Sequence, residues 1–234
     1  MNNYIDYTNL DNKATLRDIE TLCDEAQKYH FASVCVHPYY IRLVKELLNN
    51  STVLLGSVIG YPYGLNTKEV KVYEAIDAVE RGVDEIDMII NISALKNKDY
   101  DYIKEEIEEV RDAIDGKVLK VSIDANILTE DEIIKVVDIL NETYVNFIKI
   151  NNYSIDIINL INKHKNEVLE ISVADIKNID EIDNLISIGI SRIEITKEVN
   201  LMENKNCKCH ETCDCGCQEG RECTCEECNC EEEK

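Results

Sequence analysis

From residue 3 to residue 196 the chain alternates two kinds of segment, and that alternation restricts the fold more than any other feature. Short β-branched apolar runs fall near 3–8, 31–36, 53–59, 85–91, 117–123, 144–150, 168–173 and 191–196. Between them lie longer stretches whose apolar residues recur every three or four positions, such as Leu16, Ile19, Leu22 and Cys23, or Ile133, Val136, Val137 and Leu140. The runs have the length and composition of strands, and the spacing between them marks one face of a helix. Asn66 with Glu69, Thr129 with Glu132 and Asn178 with Glu181 have the spacing of a capping box just ahead of three of these faces. Strand–helix alternation requires parallel strands with right-handed crossovers. Eight such units predict a closed (β/α)8 barrel, with an open doubly wound sheet as the alternative. No GxGxxG follows any strand, which argues against a dinucleotide fold; the distinctive loop is GSVIGYPYGLNT at 56–67. In such a barrel chemistry belongs at the carboxyl ends of the strands.

Charge narrows the partners. The 234 residues carry 47 acidic against 25 basic side chains, a formal −22. Nucleic acid and anionic membrane both demand clustered Lys and Arg, so neither is expected; small molecules, cations and proteins are. The first residues, MNNYIDYTNLDNK, lack the basic start and apolar run of a signal peptide, and no apolar stretch nears the roughly 18 residues of a membrane span. A cytoplasmic protein is the expectation. The cysteines divide the chain in two: Cys23 and Cys35 stand alone in the body, and the other nine fall between Cys207 and Cys230. The expected organisation is a barrel over 1–200 and an acidic, cysteine-rich tail over 201–234.

Four strands carry an ionisable residue inside an apolar run: Asp6, Asp87, Lys120 and Lys149. Such charges are costly to bury unless paired or functional, and a barrel-floor ion pair is the structural alternative for any one of them. Together they are the inventory of an amine-based site. A lysine nucleophile must shed its proton, and a second cation or an apolar wall lowers its pKa to allow this. Lys149 with Lys120 as neighbour and Asp87 for proton transfer would make a Schiff-base lyase.

The stretches IDYTNL at 5–10, FASVCVHPYY at 31–40, SVIGYPYGLNTKEVKVYEA at 57–75 and DEIDMIINISALKNKDYDYI at 84–103 carry a resemblance to the deoxyribose-phosphate aldolase family, class I aldolases on a (β/α)8 barrel. The resemblance covers roughly residues 4–197. It implies reversible retro-aldol cleavage of 2-deoxyribose 5-phosphate or a related aldose, with no cofactor for the aldolase reaction and a homo-oligomer. It places Lys149 at the Schiff-base lysine, Asp87 at the catalytic aspartate and Lys120 at an active-site lysine. Asp6, Thr8, Cys35 and Asn91 fall on positions around the substrate, and Asp124 stands where the family usually has glutamate.

The last third departs from that pattern. Where the family reads Thr-Ser-Thr-Gly and a glycine-rich loop after the Schiff-base lysine, this chain reads Ile150, Asn151, Asn152, Tyr153. Where the family has Lys-Ala-Ser-Gly-Gly on the seventh strand, it reads Glu170, Ile171, Ser172, Val173, Ala174, Asp175; where it has Gly-Thr-Ser on the eighth, Glu194, Ile195, Thr196. Glycines let backbone N–H groups approach a phosphate, so bulk and negative charge there predict poor binding of a phosphorylated sugar. The lost lysine also removes a cation beside the nucleophile. If Ile171 points inward, desolvation lowers the pKa of Lys149; if Glu170 does, it raises it. The competing function is a degenerate, catalytically impaired barrel whose main activity is soft-metal binding by the tail.

That tail, CKCHETCDCGCQEGRECTCEECNC from 207, holds five Cys-x-Cys pairs and one Cys-x-x-Cys. Thiolates so spaced chelate or bridge soft ions, because each metal takes about four sulfur or nitrogen ligands. The resemblance is to a metallothionein-like cluster, with Cys207, Cys209, His210, Cys213, Cys215, Cys217, Cys223, Cys225, Cys228 and Cys230 as ligands and zinc or another soft metal as cargo. The alternative is a redox-sensitive or merely disordered appendage. In the body, His37 is a candidate for the barrel mouth, His30 and His164 sit near helix C-termini, and Cys23 is expected in the core. Residues 99–110 read as one amphipathic helix with a charged outer face.

Overall fold

The structure, a computed structural model, describes residues 2–176 and 178–196. Eight strands close into a parallel barrel in chain order: β1 Ile5–Asn9, β2 Ser33–Val36, β3 Leu54–Ile59, β4 Glu85–Ile89, β5 Val118–Asp124, β6 Phe147–Asn151, β7 Glu170–Val173 and β8 Arg192–Thr196. The outer layer comprises α1 Leu16–Tyr29, α2 Ile41–Leu47, α3 Lys68–Arg81, α4 Ile92–Lys96, α5 Tyr100–Ala113, α6 Glu130–Thr143, α7 Ile155–His164 and α8 Ile182–Ser187. The closed barrel is the fold the alternation predicts; β1 pairs with both β2 and β8, so no strand edge is left open. The boundary expected at 200/201 lies outside the described residues. No described helix is long and apolar enough to cross a membrane.

Side chains alternate across each strand, so register sorts them into two sets. Val34, Leu55, Ile86, Met88, Leu119, Val121, Ile148, Ile171 and Ile193 form the apolar core, at most 1% exposed. Ile19, Val44, Ile107, Val136, Val137 and Ile161 meet them from the helices. Each large aliphatic side chain so buried contributes about 1.5–3 kcal/mol. This sleeve between barrel and helices holds the fold together and leaves the inward set free to be polar.

Local signals explain most helix starts. Thr129 and Glu132 form the expected capping box on α6, and Thr15 with Asp18 forms another on α1 that the spacing of Asn or Thr with Glu does not pick out. Two expected caps fall elsewhere. Thr67, not Asn66, is the N-cap of α3, because Asn66 Nδ2 reaches Glu74 instead. Asn178 accepts from Asp180 N ahead of a short 3₁₀ turn, and Glu181 precedes α8. Leu16, read as core-facing, is 59% exposed because it occupies the first turn of α1, while Cys23 is buried as expected. His30 caps α1 in the left-handed region and His164 ends α7. In α5 the outer face is charged as expected, and Glu106 lies on the buried face with Ile103, Ile107 and Val110, against Lys71 of α3 at 2.7 Å.

Candidate active site

Inward positions stack charged groups in two tiers. The lower tier joins Asp6, Glu85, Lys120 and Arg192. Lys120 Nζ donates to Asp6 Oδ2 at 2.6 Å and lies 2.8 Å from Glu85. Arg192 Nε donates to Asp6 Oδ1 at 2.8 Å and its Nη2 reaches Glu85 at 3.1 Å. Ser33 Oγ also donates to Asp6, at 2.6 Å, and both cations lie over the Phe147 ring. Two cations thus neutralise two anions beneath the site. Burial acts to raise the Asp6 carboxyl, but Lys120 and Arg192 hold it below its usual value.

The upper tier centres on Lys149. Its Nζ donates to Asp87 Oδ2 at 2.5 Å and, on the other side, to Glu194; Ser122 Oγ donates to the second Asp87 oxygen. Burial works to lower the Lys149 pKa, yet the carboxylates of Asp87 and Glu194 outweigh it and hold it well above the ordinary lysine value. Lys120, expected as the neighbouring cation, is instead paired with Asp6 and Glu85 in the tier below. The question left between Ile171 and Glu170 resolves to neither. Ile171 packs in the outer sleeve and Glu170 is exposed at the start of β7; the residue in register with Lys149 is Ser172, buried with an unpartnered hydroxyl.

Above this tier opens a cavity of about 780 Å3. Glu194 and Ser122 line its floor, so two of its walls are each one hydrogen bond from the Lys149–Asp87 pair. Thr8, Asn9, Asp11, Asp124, Asn151 and Asp175 contribute polar groups, and Tyr61 and Tyr63 an aromatic side. The tyrosine loop is fixed by two glycines. A Cβ at Gly64 (φ 69°) would stand 2.1 Å from Ile90 O, and one at Gly60 (φ 64°) 2.8 Å from Lys71 Cε, so only glycine fits either turn. Gly60 N donates to Glu74 at 2.7 Å, and Lys71 Nζ to Ile89 O at 2.8 Å, which ties the loop to α3 and β4. No Lys or Arg is among the described residues lining the cavity.

The residues expected at the site divide by position. Lys149 and Asp87 meet beneath the cavity, and Thr8 and Asp124 line it. Asp124 also accepts from Asn126 N and Asn152 Nδ2. Asp6 and Lys120 belong to the lower tier. Cys35 is buried in the barrel, its thiol pushed well up by burial, and Asn91 caps α4 by accepting from Ala94 N at 3.0 Å. His37 bonds Leu10 O at 3.0 Å and packs edge-on against Tyr61 behind the mouth. Sequence reading missed Glu85, Ser122 and Arg192, and did not foresee that Glu194 binds the nucleophile. The period of two in Glu85-x-Asp87, Lys120-x-Ser122 and Arg192-x-Glu194 was the available signal. The cysteines and His210 of the tail lie outside the described residues; among those described, no cluster of three His, Cys, Asp or Glu is arranged to hold a metal.

Residues 3–137 match the DeoC/LacD family aldolase. The deoxyribose-phosphate aldolase of Metamycoplasma hominis is 47% identical over 149 residues, 64% of this chain and 69% of that protein. That of Mycoplasma capricolum subsp. capricolum is 38% identical over 216 residues, 88% of this chain and 97% of the other. Among solved structures, QR15, an aldolase, aligns with a TM-score of 0.80 at 30% identity over 84% of this chain and 91% of that one. The tetrameric deoxyribose phosphate aldolase of Aeropyrum pernix shares the fold, with a TM-score of 0.75 at 22% identity over 83% and 86%.

Proposed function

The chain belongs to the DeoC/LacD family of aldolases, and from that premise we propose that it cleaves 2-deoxyribose 5-phosphate, or a related aldose, reversibly through an imine on Lys149. It is an aldehyde-lyase of the deoxyribose-phosphate aldolase type. The observation that supports this mechanism is the pairing of Lys149 Nζ with Asp87 at 2.5 Å, directly under a cavity large enough for a pentose. Lys149 attacks the aldehyde carbon, and loss of water gives the protonated imine. That cation draws in the electron pair of the breaking carbon–carbon bond, leaving an enamine that is reprotonated and hydrolysed. Asp87 assists proton transfer, and Lys120 fixes positive charge in the tier below. The imine is itself the electron sink, so the chemistry calls for no redox cofactor or catalytic metal.

Borohydride trapping with acetaldehyde, read by peptide mass spectrometry on wild type and Lys149→Met, tests the reading. A reduced adduct on Lys149, absent from the variant, is expected; folded wild type without an adduct refutes it.

A homo-oligomer is supported by the exposed apolar face of α3, where Val70, Tyr73 and Ile76 follow helical spacing; light scattering should read more than one chain mass. Zinc or another soft metal ion on the tail thiolates is supported by cysteine spacing alone, and native mass spectrometry after zinc addition should show ions lost on Cys→Ser replacement across 207–230. A cytoplasmic location is the compartment in which the tail thiols would stay reduced and able to bind metal; cell fractionation tests it.

A further inference from the structure

Resting on the imine mechanism above, we propose that Glu194 is a catalytic residue, whose carboxylate takes the proton from Lys149 as the amine attacks and returns it to the hydroxyl that leaves the carbinolamine. The position is one at which the aldolase resemblance has glycine, so the resemblance itself assigns it no chemistry.

Of the two carboxylates on the Lys149 ammonium, only Glu194 touches the cavity. Asp87 is 4% exposed and has both oxygens engaged, one by Lys149 and one by Ser122. The Glu194 side chain is 12% exposed, hydrogen-bonded to Nζ and part of the cavity floor, so it meets both the nucleophile and whatever the nucleophile attacks. Other groups facing the pair do not compete. Cys35 from β2 and Tyr61 from the loop after β3 stay protonated, because burial pushes both upward. Lys120 from β5 is committed to Asp6 and Glu85, and Asp175 after β7 is exposed. On the adjacent strand β7 the register position is Ser172, whose buried hydroxyl has no partner and brings no charge.

The step balances without another reactant. The ammonium gives its proton to the Glu194 carboxylate, leaving a free amine and a carboxylic acid. The nitrogen lone pair forms the C–N bond while the carbonyl π pair moves to oxygen, and transfer of a proton from nitrogen to that oxygen gives the neutral carbinolamine. The Glu194 acid then protonates the hydroxyl, water departs and the nitrogen lone pair closes the iminium. Charge is one cation and one anion at the start and again at the end. A carboxylate in direct contact with the amine supplies the general base and acid that bulk solvent would otherwise have to provide.

The test is the rate of imine formation with acetaldehyde, followed by rapid quench into borohydride from about pH 6 to about pH 9, on the full chain. In the wild type the proton passes within the pair, so the rate should be nearly flat with pH. Glu194→Gln should be about a hundredfold slower near neutrality and should rise about tenfold per pH unit, because bulk base must then strip the ammonium. Glu194→Ala should be equally slow and be accelerated by added formate. A Glu194→Gln enzyme as fast as wild type at neutral pH, or a Glu194→Ala enzyme that formate does not accelerate, overturns the assignment to Glu194 and leaves the imine on Lys149 standing. Wild type that traps no adduct instead removes the imine reading and this one with it.

Discussion

Replacing Lys120 by Met isolates what the lower tier contributes. The substitution conserves most of the volume but leaves Asp6 and Glu85, both at most 3% exposed, with the single guanidinium of Arg192. Removing one member of a buried ionic network costs about 3–5 kcal/mol, chiefly because a charge is left without compensation. For a chain of this size that is a fall in Tm of about 6–20 °C, or about 1.5–2.5 M in urea midpoint at an m-value of about 2 kcal/mol/M. The double variant Asp6→Asn/Lys120→Met should recover about 1–2 kcal/mol. The amide oxygen that this change leaves at position 6 can still accept from Ser33 and Arg192, and Glu85 keeps the guanidinium as its counter-ion. The pH dependence has a definite sign. In Lys120→Met an under-compensated carboxyl has a folded-state pKa above its unfolded value, so stability is retained in acid and lost as pH rises through that folded value. In wild type, Asp6 is held below its usual value, so its contribution is present at neutral pH and is lost only as pH falls. The two curves converge in acid. Urea unfolding at about pH 5.5 and about pH 8 measures the gap; a cost under about 1 kcal/mol, or one equal at both pH values, refutes the idea that the tier is a compensated ionic network.

The same reasoning applies outside the barrel, where Lys71→Met strands Glu106 at full burial: a loss of about 3–5 kcal/mol is expected, and Glu106→Gln should cost a comparable amount because it leaves the buried Lys71 ammonium without its counter-ion, both read by urea unfolding. Lys71 also holds Ile89 O, so a higher KM with kcat little changed should accompany the lost stability. For the substrate, the cavity presents Asp11, Asp124 and Asp175, with Glu194 at its floor, and no cation among the described lining residues. Deoxyribose should therefore have a KM about tenfold or more below that of its 5-phosphate, about 1.4 kcal/mol, and the difference should shrink with added salt; steady-state kinetics showing the phosphate preferred at low salt would count against an acidic mouth.

The barrel is legible in the sequence because its outer sleeve obeys a simple rule: every strand presents apolar side chains to apolar helix faces, and Ile133, Val136, Val137 and Leu140 stand out at helical spacing. The residues Asp87 and Lys149 were legible for the opposite reason, as charges inside apolar runs. What escaped was connectivity. Strand parity shows that Glu85 and Arg192 face inward, but not that they share Asp6 and Lys120 as partners across the barrel, since inter-strand stagger sets which inward residues meet. The same stagger brings Glu194 of β8 to Lys149 of β6 past the intervening strand β7. The direction of the Lys149 shift, open in the sequence between Ile171 and Glu170, is set by the same connectivity: closure of the barrel places Asp87 and Glu194 against the ammonium.

The two halves of the molecule divide their work. The family match ends at residue 137, after Asp6, Asp87 and Lys120 but before Lys149, Ser172, Arg192 and Glu194. Yet likeness of fold extends over 84% of the chain. The two facts are compatible because fold and chemistry draw on opposite faces of each strand. Ile148, Ile150, Ile171, Val173, Ile193 and Ile195 of β6, β7 and β8 are each at most 1% exposed, as the sleeve requires, whatever stands between them. The inward positions bear no such constraint, and there this chain sets a serine and a glutamate around the nucleophile. The lower tier, drawn from both halves, remains balanced at two cations and two anions, whereas the upper tier holds one cation against two anions. An uncompensated anion at the floor of a cavity, in contact with the reacting nitrogen, is unfavourable for folding unless it serves as a base or meets a substrate that neutralises it. The imbalance itself therefore directs attention to Glu194 as the residue that distinguishes this site.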